Sequence, residues 1–274
     1  MLLSLFPNPK IAIYHPRDHS ESRLADCCRQ CHSRNRANSP RQTAAPLLRA
    51  ARNHQLEFCM LLKKAIEVAQ FHIVRSFSGF ETPTEPHFDP ASINKFRELL
   101  SSCESYVEFG TGGSTIVADE LNKPCFAVES DSVYAKAVRA GLSGGTSVHI
   151  EDVDIGLIGP WSVPLFRKLN PTRQARWLAY PDAPFKNNGA FYDFALIDGR
   201  FRVACALATA LNAQQSSRDC TIMFDDYRDR PHYHWIEEFL GRPEMFGRAG
   251  FFYSKNFIKD VDRSMVIESA KDFR

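Results

Sequence analysis

No apolar run in the 274 residues approaches the ~20 that a membrane-spanning helix needs. The first six residues are apolar, but no basic segment precedes them, which makes a poor secretory signal. Charge of one sign is missing too, since the net charge is only +2. With 44% hydrophobic and 24% charged residues, the composition excludes a collagen, a coiled coil and a wholly disordered chain. There is no internal repeat. The small net charge hides an asymmetry. Residues 1–55 carry nine Lys/Arg and three Asp/Glu, and the remainder carries 25 and 29. A basic face would be the footprint of nucleic-acid binding, and the acidic body offers none. No nucleic-acid partner and no membrane span are expected.

Eight cysteines stand at 27, 28, 31, 59, 103, 125, 205 and 220. The last four sit in apolar or helical contexts, as buried free thiols do. A chain of this length buries a core without disulfides, so a reducing, cytoplasmic setting is expected. The basic start leaves organellar targeting open. Cys28-Arg29-Gln30-Cys31-His32 spells a haem-attachment pattern. Its polar flanks offer no apolar pocket, and zinc would want a second half-site.

Three segments are expected: a loosely structured basic tail over 1–43, a helical extension and linker over 44–88, and a cofactor-binding domain over 89–274. Leu48, Ala51, Phe58, Leu62, Ile66, Ala69 and Ile73 recur at helical spacing. Asp89-Pro90 then reads as a helix start, a cap followed by a first-turn proline. Ile93, Phe96, Leu99 and Leu100 supply its stripe. Beyond Ser105 strands and helices alternate. Strands are predicted at Tyr106–Phe109, Cys125–Val128, Ser147–Ile150, Phe191–Ile197 and Thr221–Phe224. Helices are predicted at Ser114–Asn122, Ser132–Ala140, Arg202–Asn212 and His232–Leu240. Two last strands, Gly250–Ser254 and Ser264–Glu268, read as an antiparallel pair. The fold class is therefore α/β: a Rossmann-like, doubly wound sheet, mostly parallel. The 153–190 stretch breaks the pattern. Its Trp161, Phe166, Trp177, Tyr180 and Phe185 suit a substrate cap or a packed excursion.

Glu108-Phe109-Gly110-Thr111-Gly112-Gly113-Ser114-Thr115 follows the first core strand and opens a helix. Glycines there let the backbone turn sharply and approach a ligand, and the helix start favours a polar or anionic group. Glu129 ends the next strand 19 residues after Gly110, near the ~20-residue spacing at which an acid accepts from ribose hydroxyls. A dinucleotide fingerprint would place Gly or Ala where Thr115 stands. A carboxylate at Glu108 would repel a pyrophosphate and could receive an ammonium group.

With these residues the chain resembles the class I S-adenosylmethionine-dependent methyltransferases. The likeness rests on Glu108 to Gly112, on Glu129, and on Ile150-Glu151-Asp152 at the end of the third strand, and it spans roughly residues 90–270. It implies that the glycine turn, Glu108 with Gly110, Thr111 and Gly112, wraps the methionine part of S-adenosylmethionine. It also implies that Glu129 holds the ribose and Asp152 the adenine amino group.

Ligands of open α/β sheets bind beyond the carboxyl ends of the strands. Strand four ends in Asp198-Gly199-Arg200 and strand five in Asp225-Asp226-Tyr227. Three carboxylates on one rim need protons, arginines or a cation. This pattern resembles the metal-dependent small-molecule O-methyltransferases, especially the macrocin type. That resemblance implies Mg²⁺ or a similar ion on Asp198, Asp225 and Asp226, activating a substrate hydroxyl. Pairing with Arg200, Arg202, Arg228 and Arg230 is the competing reading. Asp198 could also touch the transferring end of the cofactor. Asp198, Asp225, His232 and His234 are the candidate catalytic groups. Methyl transfer to a small-molecule hydroxyl is the expected activity. A nicotinamide-dependent oxidoreductase and a non-catalytic nucleotide-binding module are the alternatives.

Overall fold

The computed structural model describes residues 62–63, 65–73, 82–145, 147–187 and 190–274. The basic tail, the haem-like motif and most of the predicted N-terminal helix lie outside them. The chain divides between Leu62 and Lys63, and residues 63–274 form one unit. Among the described residues no helix is long and apolar enough to cross a membrane.

Helix α1 (Pro90–Ser102) begins as its sequence dictates. The Asp89 carboxylate accepts from the Ala91 and Ser92 amides, and Pro90 sits in the first turn. Phe96 and Leu100 are fully buried, with Ile93 and Leu99 packed beside them. Then follow β1 (Tyr106–Phe109), α2 (Gly113–Glu120), β2 (Cys125–Glu129), α3 (Ser132–Gly141) and β3 (Val148–Asp152). Beyond the insert come β4 (Phe194–Ile197), α5 (Arg202–Ser216) and β5 (Thr221–Phe224).

With β6 (Glu244–Phe246) and β7 (Ala249–Tyr253), the seven strands are ordered β3-β2-β1-β4-β5-β7-β6. The first five run parallel, in register Phe109 with Val128 and Ile197, and Ile197 with Phe224. Both β1 and β4 are buried along their whole length, as central strands covered on both faces must be. One apolar layer gathers Phe96, Tyr106, Val117, Val138 and Phe194. The other gathers Trp177, Phe201, Leu207, Phe224 and Val266. The chain leaves β1 toward β2 and crosses back to β4 on the opposite side, so the order reverses at the β1/β4 boundary. The site is expected at that reversal.

The closing elements correct the sequence reading. The antiparallel pair is β6 (Glu244–Phe246) with β7 (Ala249–Tyr253), and β7 lies along β5. Gly247, at φ +59°, makes the turn between them. Ser264–Glu268, read as a strand from its Met-Val-Ile run, belongs to helix α6 (Arg263–Ser269). Asp262 caps that helix by accepting from the Met265 amide, and Val266 buries against the core. An apolar triplet fits one helical turn as well as a short strand, and here the cap decides.

The 153–190 insert contains helix α4 (Pro171–Asp182), capped by Asn170 and begun by Pro171. Of its aromatics, Trp177 and Tyr180 are core residues, whereas Trp161 is 72% and Phe166 62% exposed. The Trp177 indole donates to the Ile155 carbonyl at 3.1 Å. The insert is therefore largely a packed excursion, and only Trp161 and Phe166 keep faces that a ligand could stack on.

Candidate functional site

The glycine turn is fastened from below. Gly110 has φ +98°, and a Cβ there would stand 2.9 Å from the Gly199 Cα. The Gly110 amide donates to the Val128 carbonyl at 2.8 Å. The Gly112 amide donates to the Thr115 hydroxyl at 2.9 Å. That hydroxyl donates in turn to Glu108, whose other oxygen accepts from the Tyr106 hydroxyl at 2.9 Å. Above the turn, Gly113 at the start of α2 leaves room for the backbone of Glu85, which a Cβ would strike at 2.1 Å.

Glu108 is thus a buttress beneath the turn. It is fully buried, and both oxygens are engaged by the chain's own hydroxyls. Burial pushes its carboxyl up to about 7 against the hydrogen bonds of Thr115, Ser114 and Tyr106. The expectation that its charge directly receives an ammonium group does not survive this geometry. A carboxylate so placed reaches a ligand only through the turn it holds. Thr115 likewise stands where a dinucleotide fingerprint has glycine because its hydroxyl is this bridge.

Glu129 closes the turn from the next strand. One oxygen accepts from the Thr111 amide at 3.1 Å and the Thr111 hydroxyl at 2.9 Å. The other accepts from the Ser130 and Asp131 amides at 2.7 and 2.9 Å. Burial raises its carboxyl against those bonds. Asp152 pairs in register with Glu129 across β2 and β3 and holds Arg139 at 2.9 Å. Tyr134, which the sequence reading missed, completes this wall. A Cβ on Gly112 would stand 3.3 Å from its hydroxyl. Burial, then Glu129, Glu108 and Asp198, push that phenol up to about 12. A tyrosine in an amphipathic helix carries no local sign of facing a site.

Across the reversal, Asp198, Asp225 and Asp226 do converge, with ligand atoms within 4.8 Å of one another. Each is already neutralised. Asp198 accepts from Arg202 at 2.8 Å. Asp225 accepts from two nitrogens of Arg248 at 3.1 and 2.9 Å. Asp226 accepts from Arg230 at 2.6 Å and from Arg202 at 3.4 Å, and its other oxygen forms an ion pair with Arg248 Nε at 2.8 Å. Asp226 adopts φ +57° to do so, a conformation that Asp tolerates better than most side chains. The Asp225 hydrogen bonds hold the Arg248 guanidinium well above its usual range.

This arrangement does not fit a divalent cation. Three carboxylates face three guanidiniums, so the rim carries no surplus negative charge to offset a dication's dehydration. Of the four arginines named from sequence, Arg202 and Arg230 are the partners. Arg248, missed in the sequence, comes from the β6–β7 turn, far along the chain and in no recognisable motif. It also donates to the His87 carbonyl at 2.6 Å, while its amide bonds Asp89 at 2.8 Å.

Among the other candidates, Asp225 is 1% exposed and saturated by Arg248, which leaves it no role in proton transfer. His234 stacks on Tyr227 and puts Nε2 2.9 Å from the Tyr227 carbonyl oxygen. His232 is exposed, and burial and then Arg274 lower its pKa. Asp198 alone presents an accessible carboxylate, 38% exposed. Its carboxyl is pushed up to about 6 by packing and by Asp225 and Asp226, against Arg202. Solvent at that open face damps the shift.

Among solved structures, the chain is similar to a methyltransferase-like protein from Silicibacter pomeroyi, at 34% identity and a TM-score of 0.60. The match covers 70% of this chain and all of that one, 100%. The chain belongs to that methyltransferase-like family. No protein-family model and no curated protein matches it. The seven-stranded sheet with its antiparallel β7 is the Rossmann-like methyltransferase fold.

Proposed function

We propose that the protein transfers a methyl group from S-adenosylmethionine to a small-molecule hydroxyl, without a metal ion. The observation that carries this reading is the fastened glycine turn at the β1/β4 reversal, with Glu129 beside it, in a chain of the methyltransferase-like family. The donor set fits the cofactor. Gly110–Gly112 give a close-approach surface, Glu129 an acid for the ribose, and Asp152 an acceptor at the outer end of the same wall. Glu129 already accepts five hydrogen bonds from its own chain, so a ribose hydroxyl would displace one of them.

When bound, the cofactor supplies an electrophilic sulfonium methyl group. The chain's own work is to orient the acceptor and to take up one proton. Asp198, accessible and with its carboxyl raised above the ordinary range, is the residue for that proton. Arg202 fixes its orientation. Calorimetry with S-adenosylhomocysteine tests the reading. Micromolar binding supports it, and binding of NADH in its place overturns it.

A further inference from the structure

Arg200 follows β4 directly after Asp198 and Gly199 and is half-buried. Among the described residues its guanidinium has no acid partner. Arg202, Arg230 and Arg248 all have one. Arg228 has none either, but it is exposed and water suffices for it. A half-buried guanidinium has given up part of its hydration, and its five donors then need an acceptor. Burial and then the neighbouring Arg202 lower its pKa, and the nearby charge of Asp198, already ion-paired to Arg202, does not offset them.

The rim charges agree. Asp198, Asp225 and Asp226 are balanced by Arg202, Arg230 and Arg248, and Arg200 is the surplus positive charge. Its other electrostatic neighbours are Tyr180 from α4, Tyr233 from the segment after β5, and Asp198. The cofactor's proposed contacts lie at the ends of β1, β2 and β3, on the opposite side of the reversal. Arg200, after β4, therefore lies on the acceptor's half of the site.

We propose that Arg200 receives a carboxylate or phosphate group of the methyl acceptor, so that the substrates are anionic small molecules. The proposal rests on the methyl-transfer reading and narrows it. A guanidinium presents a planar fork to either oxyanion, and Asp198, two residues earlier on the same strand end, is its charged neighbour.

The test is a titration of protein labelled at arginine, followed by NMR, with inorganic phosphate and separately with succinate, at constant ionic strength. The expected result is a saturable shift of one guanidinium signal, assigned by its loss in Arg200→Gln. Phosphate affinity should fall at least tenfold in Arg200→Gln and severalfold in Arg200→Lys, which keeps the charge without the fork. S-adenosylhomocysteine affinity should be unchanged in both. No shift at Arg200, or equal phosphate affinity in the variants, overturns the proposal. A tenfold loss of S-adenosylhomocysteine binding in the variants overturns it as well, because the anion is then the cofactor's own carboxylate. Failure of the wild-type protein to bind S-adenosylhomocysteine removes the methyl-transfer reading, while the phosphate arm still reads Arg200. Should Arg200→Gln not fold, the lysine variant carries the comparison.

Discussion

Gly110 and Gly199 meet across the β1/β4 boundary so closely that a Cβ on Gly110 would lie 2.9 Å from the Gly199 Cα. The two turns that frame the site are therefore one packed unit. Gly110→Ala is expected to destabilise the fold by at least ~2 kcal/mol, because the positive φ and the backbone contact both resist a side chain. Gly199→Ala should behave similarly and stay destabilised in a Tyr180→Phe background. Its Cβ would meet the Gly110 nitrogen at 2.8 Å as well as the Tyr180 hydroxyl at 2.2 Å. Thermal melts of the three variants check this; full rescue by Tyr180→Phe would show that the backbone contact is unimportant.

Thr115 joins Glu108 to the Gly112 amide through one hydroxyl. Thr115→Val keeps the shape and leaves two buried polar groups unpaired, at a cost of roughly 1–3 kcal/mol. S-adenosylhomocysteine affinity should drop with it, and Thr115→Ser should restore both. A valine variant with wild-type affinity would mean the turn needs no such bridge.

Glu108 makes stability depend on pH in an unusual direction. Its folded pKa, about 7, lies above the ordinary 4.5, so the folded state holds the proton longer. Between pH 4.5 and 7 the folded state binds more protons than the unfolded one, and stability from this group falls as pH rises. It is highest below that window and level above it. Denaturant titrations across the window should give wild-type protein a downward trend relative to Glu108→Gln. Parallel pH profiles would contradict the assignment.

Arg248 bonds both oxygens of the buried Asp225. Arg248→Ala should cost ~3–5 kcal/mol, since it strands a buried charge. Adding Asp225→Asn should recover part of that loss. The same pairing predicts that turnover, once an acceptor is found, is unchanged by EDTA. Loss of turnover in chelator, restored by Mg²⁺, would overturn the metal-free reading.

Glu129→Gln should weaken S-adenosylhomocysteine binding by about 10- to 100-fold, the scale of one or two charge-assisted hydrogen bonds. Calorimetry reads this directly, and an unchanged affinity would place the ribose elsewhere.

Local chemistry made much of this legible in one dimension. Strand-helix alternation gave the sheet, Asp89-Pro90 gave the start of α1, and Gly110 to Gly112 with Glu129 gave a turn and its acid. Each is a short-range property: a cap, a periodicity, a φ that only glycine adopts readily. Short-range signals failed where they were ambiguous, as in the Met265-Val266-Ile267 run, which fits a strand as well as the helix that Asp262 caps. Folding alone decided the direction and the partners of each charge. Glu108 looked like a ligand group and became a buried strut, because a strand residue's side chain follows the sheet's pleat into the core. Asp198, Asp225 and Asp226 looked like a metal site and became half of an arginine network, because Arg248 arrives on a hairpin over 20 residues away. Sequence spacing tells which groups lie near one rim, but neutralisation depends on every charge that the chain brings there, and only the folded chain settles that.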